Sequence, residues 1–208
     1  MMLNEMQLTS LQNSLHKGSV GASDTLAKWI GKPAVIEIDS LEQLPLEEAT
    51  GTLADSDQPV CYCSMTVQGF FTGEMILVFD DASGLALADL LLDQPRGTAQ
   101  SWTDLATSAA LETTNILCCA YLNSLSESFP SVQTSTELVP QPPRFNREYA
   151  ESLMQFALMS QAMEFDNVIL AKTRFTIENR LVNWTLLFVP DAETMSRFSQ
   201  LLGSGEPA

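Results

Sequence analysis

The chain has 208 residues, of which 45% are hydrophobic and 17% charged, so it has enough apolar side chains to form a folded core. Its 26 acidic residues outnumber its 10 basic residues, which gives a formal net charge of −16 at pH 7. This charge argues against nucleic acid and against an anionic membrane surface as partners, because both are bound through basic patches.

A long helix over residues 8–30 is the first predicted element. Residues 1–17 lack the basic start and apolar block of a secretory signal, and the chain has no uncharged apolar run of about 18 residues. We therefore expect no signal peptide, no transmembrane helix and a cytoplasmic location.

His16 is the one histidine. No arrangement of Cys, Ser or Asp suggests a nucleophilic triad around it, so a solvated side chain is predicted.

A hairpin and a second helix follow. Residues 60–67 alternate as a β-strand does, residues 68–73 supply a turn with two glycines, and residues 76–79 form the next strand. Asp80 is placed to cap a helix over residues 85–92, and residues 93–97 form a short linker.

The second long helix is predicted over residues 104–126, and it carries polar groups within an apolar run. Its core face is marked by Leu111, Cys118, Leu122 and Leu125. Glu112 and Asn115 are three residues apart and therefore share one side of the helix, with Ser108 one turn before and Cys119 one turn after. On spacing alone, the better interpretation is that this is simply the solvated side of an ordinary helix.

The remaining chain repeats the hairpin and its helix. Prolines occur at positions 130, 140, 142 and 143, and residues 144–164 are predicted to form an amphipathic helix with Leu153, Phe156, Ala157 and Met163 inward. Strands are expected at 168–177 and 186–189, joined by a turn at 178–180, and the last helix covers 195–202.

The two parts of the chain resemble each other. The strand, aspartate and helix that begin at Ile76 return at Leu186, 110 residues later, and the long helices align at an offset of 96, with Leu15 on Leu111. The two offsets differ by 14, and the extra residues are assigned to 144–164.

We predict one domain over residues 1–208, made of halves of about 1–95 and 96–208. Its fold class is α+β, a pseudo-two-fold duplication with a central antiparallel sheet and long helices packed outside. Two covalently joined halves favour a monomer.

The four cysteines are expected to be free thiols. Cys61 and Cys63 form a C-x-C pair, and Cys118 and Cys119 are adjacent, all within apolar runs. These spacings suit neither a disulfide framework nor a zinc site in a chain with one histidine. Buried thiols in a reducing cytoplasm are the better interpretation.

The sequence from Ala110 to Leu117, followed by Tyr121, resembles the signature helix of the CheC/CheX/FliY family, which contains phosphatases of the chemotaxis response regulator CheY. The family motif is Asp or Ser, three residues, Glu, two residues and Asn. Ser108, Glu112 and Asn115 match its three positions. The resemblance covers nearly the whole chain and implies the same duplicated α+β fold.

What the resemblance implies for function is a phosphatase in two-component signalling, acting on the aspartyl phosphate of a CheY-like receiver domain. Asn115 then orients the attacking water, Glu112 pairs with the receiver's active-site lysine, and Ser108 and Cys119 lie beside them as binding residues. The receiver brings its own Mg²⁺, so no metal or other cofactor is expected in this chain.

Two positions depart from the family's pattern. At the offset of 96, the first-half counterparts of the motif are His16 and Ser19, which predicts a degenerate first site. The family also has a proline about 22 residues beyond the Asn, as the wall of the site. Here that interval ends near Leu138, and Pro140 is the nearest proline.

Two other functions remain open at this stage. One is a non-catalytic chemotaxis adaptor that binds the receiver domain, a CheD-like receptor deamidase or the flagellar switch. The other is an unrelated structural α+β protein in which the motif occurs by chance. Phosphate release from a phosphorylated receiver distinguishes the phosphatase from the adaptor.

Overall fold

The computed structural model describes residues 3–45, 48–49, 59–128, 138–149, 152–153, 167–177 and 180–203. The helices are α1 (Glu5–Ile30), α2 (Asp81–Leu91), α3 (Asp104–Ser128) and α4 (Ala192–Gly203). The strands are β1 (Ala34–Pro45), β2 (Pro59–Gln68), β3 (Gly73–Phe79), β4 (Val139–Pro140), β5 (Arg144–Tyr149), β6 (Asn167–Ile177) and β7 (Arg180–Pro190). No helix in the described part of the chain is long and apolar enough to cross a membrane.

The strands form one antiparallel sheet in the order β1-β6-β7-β3-β2, and both β4 and β5 pair with the far edge of β2. Strands β3 and β7 meet at the centre, with Leu77 opposite Leu186. Outward from this pair the order is β2 and then β4 and β5 on one side, and β6 and then β1 on the other. Each half therefore adds its outermost strand to the other half's edge, and the α+β duplicated fold is confirmed.

Both faces of the sheet are buried at its central strands. The face toward the helices carries stacked aromatic pairs, with ring centroids 4.1 Å apart for Phe71 and Phe188 and 4.3 Å apart for Phe79 and Trp184. The opposite face forms a second apolar cluster that includes the described residue Leu153. Burial on both faces explains why β3 is an almost continuous apolar run instead of an alternating one.

Helices α1 and α3 pack against each other in antiparallel orientation, above the sheet. Ser124 donates its hydroxyl to the backbone oxygen of Ser14 at 2.5 Å, and Ser19 shares a 3.2 Å hydrogen bond with the hydroxyl of Tyr121. The helices are closest at Gly18, where a Cβ atom would lie 2.7 Å from Cδ1 and 3.0 Å from Cα of Tyr121. Burial raises the pKa of Tyr121 to about 12, which is consistent with this tight interface.

The structure corrects the alignment of the two long helices. Helix α1 begins at Glu5 and α3 at Asp104, which is an offset of 99 instead of 96. At this offset all eight buried residues of α1 fall on buried residues of α3, namely Ala106, Ala110, Thr113, Thr114, Leu117, Cys118, Tyr121 and Leu125. An offset of 96 would place half of them on exposed or half-buried positions. The predicted alignment is therefore wrong by nearly one helical turn.

Two further expectations fail in the strands. Strand β1 was not predicted, although Ala34 and Ile36 are buried in alternation with exposed Val35 and Glu37. Residues 144–149 form β5 instead of the start of the predicted helix, because they pair with β2 as an edge strand and expose most of their side chains. Leu153 is buried as predicted, but Phe156, Ala157 and Met163 lie outside the described residues.

Strand β5 is tied to the rest of the molecule through Asp81, at the start of α2. The Asp81 carboxylate accepts hydrogen bonds from Nη2 of Arg147 at 2.6 Å, Nε1 of Trp102 at 2.8 Å and Sγ of Cys61 at 3.0 Å. The Arg147 guanidinium is the main reason that the pKa of Asp81 falls to about 2. This cluster fixes the edge strand that follows the segment 140–143.

All four cysteines are free, as predicted. Cys61, Cys63 and Cys118 are buried, and burial is the largest cause of their raised pKa values. Cys119 is only half-buried, because it lies at the edge of the buried face of α3.

Candidate functional site

An open groove of about 480 Å³ lies between the outer side of α3 and the segment 140–143. We call it the proline-walled groove. It is lined by Ser108, Leu111, Glu112, Asn115, Pro140, Gln141, Pro142 and Pro143. Thus the fold brings together four of the five second-half residues singled out in the sequence. The exception is Cys119, which does not line this groove.

The wall of the groove is anchored to the sheet. Pro140 pairs with Val67 in the short β4–β2 ladder, and the backbone N–H of Gln141 donates to the oxygen of Thr66 at 2.8 Å. Proline has no N–H to donate, so its place on the outermost strand leaves no ladder hydrogen bond unmade. The wall is therefore held by backbone hydrogen bonds and stiffened by its prolines.

The α3 side of the groove presents polar groups because the other side of the helix is in the core. Thr113 and Thr114 are fully buried, and their hydroxyls donate to the backbone oxygens of the residues one turn earlier at 2.9 and 2.8 Å. Ser108 and Glu112 are exposed, and Asn115 is half-buried. The polar side chains of the groove are thus free to meet a partner.

Two groups in the groove have unused hydrogen-bonding capacity. Glu112 has no ion-pair partner among the described residues, so its carboxylate is available to a cation from another molecule. Asn115 accepts a hydrogen bond from Sγ of Cys119 at 3.7 Å through Oδ1, while its Nδ2 has no partner in the described part of the chain. A carboxylate and a carboxamide donor are therefore available one turn apart.

Among the described residues, the groove has no nucleophile paired with a base. The polar side chains that the structure describes there are one hydroxyl, one carboxylate and two carboxamides, with no imidazole or thiol among them. The described residues include no group of three or more His, Cys, Asp or Glu that could hold a metal ion. That the chain works without its own metal stays a prediction. The groups present are suited to holding a water molecule and a polar partner.

A second groove, of about 390 Å³, runs between α1 and α3 and is called the interhelical groove. Cys119 lines it together with Lys17, Gly21 and Asn123. Asn115 borders both grooves, and it is the residue that connects Cys119 to the proline-walled groove.

The first half has no copy of the pair. At the offset of 99, the counterparts of Glu112 and Asn115 are Asn13 and His16, and both are exposed. Ser19 is fully buried and bonded to Tyr121, so it is not part of a surface site. The positions that align with the motif are therefore Asn13 and His16 instead of His16 and Ser19.

The sequence missed part of the wall. Gln141, Pro142 and Pro143 also line the groove, whereas the sequence predicts only Pro140 there. The signal in the sequence that could have predicted this wall is the run of prolines on both sides of Gln141. Leu111 was assigned to the core, but it is half-buried and also lines the groove.

No protein-family description matches the sequence. No curated protein matches it either. Solved structures do match. FliY from Thermotoga maritima is 14% identical, with a TM-score of 0.76 over 99% of this chain and 100% of that chain.

Two structures from H. pylori are also similar. The FliM middle domain is 12% identical, with a TM-score of 0.65 over 96% of this chain and 99% of that chain. A chain of the FliM–SpeE complex is 14% identical, with a TM-score of 0.68 over 98% of this chain and 97% of that chain. Identities this low show the fold alone. The protein has the fold of FliY and the FliM middle domain, and the resemblance found in the signature helix is confirmed at that level.

Proposed function

We propose that this protein hydrolyses the aspartyl phosphate of a CheY-like receiver domain at the proline-walled groove. One observation carries the proposal. Glu112 and Asn115 lie one turn apart on α3, facing an anchored wall, in the spacing of the family motif. Among the described residues, the Glu112 carboxylate has no ion-pair partner and the Asn115 carboxamide nitrogen has no hydrogen-bond partner.

The reaction needs positioning more than it needs a strong base. An aspartyl phosphate is an acyl phosphate, so the carboxylate is already a good leaving group. Water forms the new bond to phosphorus, the bond from phosphorus to the acyl oxygen breaks, and the electron pair leaves with the aspartate carboxylate. The water protons pass to the phosphate and the solvent. Phosphoryl transfer of this kind depends mainly on alignment and electrostatic stabilisation.

Asn115 is the water-orienting group in this proposal. Its carboxamide oxygen accepts a hydrogen bond from the water, and its nitrogen donates to a phosphoryl oxygen. A carboxylate in that place would repel the phosphoryl group. Glu112 is instead assigned to the lysine of the receiver, where it fixes the register of docking. Mg²⁺ belongs to the receiver and not to this chain.

The surroundings of the groove suit a protein substrate. Leu105 lies three residues before Ser108 on α3 and is 58% exposed, and Val139 adjoins Pro140 and is 47% exposed. Large apolar side chains that flank a polar site are typical of protein interfaces. The overall charge of −16 also favours a partner that presents lysines.

The proposal is tested by the decay of a phosphorylated receiver domain with and without this protein. Faster decay in its presence is expected. If the receiver binds but its phosphate is lost at an unchanged rate, the protein acts as an adaptor instead.

Replacing Glu112 with alanine should weaken receiver binding. The exposed carboxylate and its partner lysine attract each other through solvent, so a loss of about threefold to tenfold in affinity is expected at low salt, and a smaller loss at high salt. Titration calorimetry against a receiver held in its phosphorylated state by beryllofluoride and Mg²⁺ measures this. Unchanged affinity with slower hydrolysis would mean that Glu112 acts in catalysis instead of docking.

Replacing Asn13 and His16 together with alanine should leave hydrolysis within about twofold of wild type, because neither exposed side chain borders the proline-walled groove. The initial rate on the phosphorylated receiver is the measurement, and a thermal melt verifies the fold. Ser19 is left intact, since its buried hydroxyl contributes to the α1–α3 interface. A tenfold loss in the folded double variant would mean that the first half takes part.

A second candidate function is a flagellar-switch or chemotaxis adaptor. The observation that favours it is the fold, which this chain shares with the FliM middle domain as well as with FliY. H. pylori FliM has been solved in complex with FliG. In an adaptor, the proline-walled groove would bind the receiver without accelerating its dephosphorylation.

A further inference from the structure

Cys119 lies directly beside the water-orienting group, and we propose that its thiol sets the orientation of the Asn115 carboxamide. Cys119 is then a positioning residue for Asn115. Its catalytic consequence rests on the proposed function, whereas its structural consequence does not.

The geometry of α3 places the two side chains together. Cys119 follows Asn115 by four residues, so they are neighbours on one side of the helix, and Sγ lies 3.7 Å from Oδ1. Within the described part of the chain, this is the one hydrogen bond of the Asn115 side chain. A protonated thiol is a weak donor, which a carboxamide oxygen accepts and a carboxamide nitrogen does not. A flipped carboxamide would instead turn its N–H toward sulfur, which is a weak acceptor, so the thiol biases the orientation.

The thiol keeps that proton at neutral pH. Burial raises the pKa of Cys119, and the negative charge of Glu112, two turns away, raises it further. The sulfur is therefore a donor throughout the physiological range. It favours the orientation in which the carboxamide oxygen points toward the C-terminal end of α3 and the nitrogen points away from the sulfur.

The orientation matters because a carboxamide is not symmetric. A rotation of about 180° exchanges its donor and its acceptor. The carboxamide oxygen has two lone pairs, so the thiol uses one and leaves the other for water. With the oxygen fixed, the nitrogen is left free for a phosphoryl oxygen. Without the thiol, part of the population would present the two groups in exchanged positions.

Three variants separate this role from simple packing. Cys119→Ala removes the donor, and Cys119→Ser keeps a donor of similar size. Asn123→Ala is the matched control, because Asn123 lines the same interhelical groove one turn further on and has no contact with Asn115 in the described residues. All three are compared after thermal melts have verified the fold.

The first readout is structural and needs no activity. The side-chain amide signal of Asn115 in a nitrogen–proton correlation spectrum is assigned by its loss in Asn115→Ala. We expect it to shift and broaden in Cys119→Ala, and to stay near its wild-type position in Cys119→Ser and Asn123→Ala. An unchanged Asn115 signal in Cys119→Ala would overturn the proposal.

The second readout is kinetic. In Cys119→Ala, kcat for receiver dephosphorylation should fall by about twofold to tenfold, the effect of one modest hydrogen bond, with KM unchanged and with recovery in Cys119→Ser. Equal losses in the Ala and Ser variants would contradict a donor role. If the wild-type protein is inactive, the proposed function fails, and the amide signal alone still decides the role of Cys119.

Discussion

Replacing Asn115 with alanine is expected to slow hydrolysis of a bound phospho-receiver by about tenfold to a thousandfold, the range for removing one preorganised polar group. The water loses the carboxamide oxygen that orients it, and the phosphoryl group loses the donor that lies one turn from Glu112 on α3. Affinity should stay within about twofold, because this contact forms with the reacting atoms and adds little to docking. A single-turnover decay at saturating protein measures the rate without the contribution of binding.

The control for this variant is Asn123→Ala, which removes the same chemical group from the same helix outside the proline-walled groove. It should react at the wild-type rate. Wild-type turnover by a folded Asn115→Ala protein would remove Asn115 from the mechanism. A loss of binding as large as the loss of rate would instead make it a docking residue.

Replacing Gly18 with alanine is expected to lower the free energy of unfolding by about 1–3 kcal/mol. The added Cβ would lie 2.7 Å from Cδ1 and 3.0 Å from the backbone Cα of Tyr121. Tyr121 is 1% exposed and held by the hydroxyl of Ser19, so its ring cannot swing aside without opening the α1–α3 interface. This clash outweighs the gain of about 1 kcal/mol that alanine normally brings inside a helix.

Gly21→Ala is the matched control, since Gly21 lies one turn later on α1 and a Cβ there meets nothing within 4 Å. It should stabilise the protein by about 0.5–1 kcal/mol through helix propensity alone. Urea unfolding of both variants gives the two free energies. If both alanines change stability equally, the close approach of the two helices at Gly18 is wrong.

The sequence was sufficient for the fold class and for placing the three motif side chains on one side of α3, because both depend on local patterns. The alternation in 60–67, the capping aspartate before α2 and the repeated strand-helix order led to the duplicated α+β fold. The spacing of Ser108, Glu112 and Asn115 depends only on helical geometry. The three side chains therefore face one groove in the structure, as their positions on α3 require.

The alignment of the halves could not be fixed in the same way. Two leucines of α1 fall on leucines of α3 at an offset of 96 and only one at an offset of 99, so the leucine pattern favours the wrong register. Burial is what identifies the right one. Ser19 was paired with Asn115 because nothing in its type shows that its hydroxyl is fully buried against Tyr121. A small polar residue belongs to the core of such an interface when its hydroxyl finds a hydrogen-bond partner there, as Ser19 does.

The wall of the site depends on contacts that are distant in sequence. Gln141 is held by Thr66 in the first half of the chain, 75 residues earlier, and no local pattern in 139–143 predicts this pairing. Strand β5 has no hydrophobic pattern, because most of its side chains are exposed and backbone pairing with β2 holds it in the sheet. Pairing between segments that are distant in the chain is the feature of a fold that a single sequence predicts least well.

The most direct test of the proposed phosphatase is phosphate release under turnover conditions. The phosphorylated receiver is supplied in about tenfold molar excess over this protein, with Mg²⁺ present, and inorganic phosphate is followed in time against the receiver alone. The account predicts release faster than the spontaneous rate, continuing beyond one phosphate for each molecule of this protein. Release at the spontaneous rate, from a receiver that binds the protein in its beryllofluoride form, would contradict it.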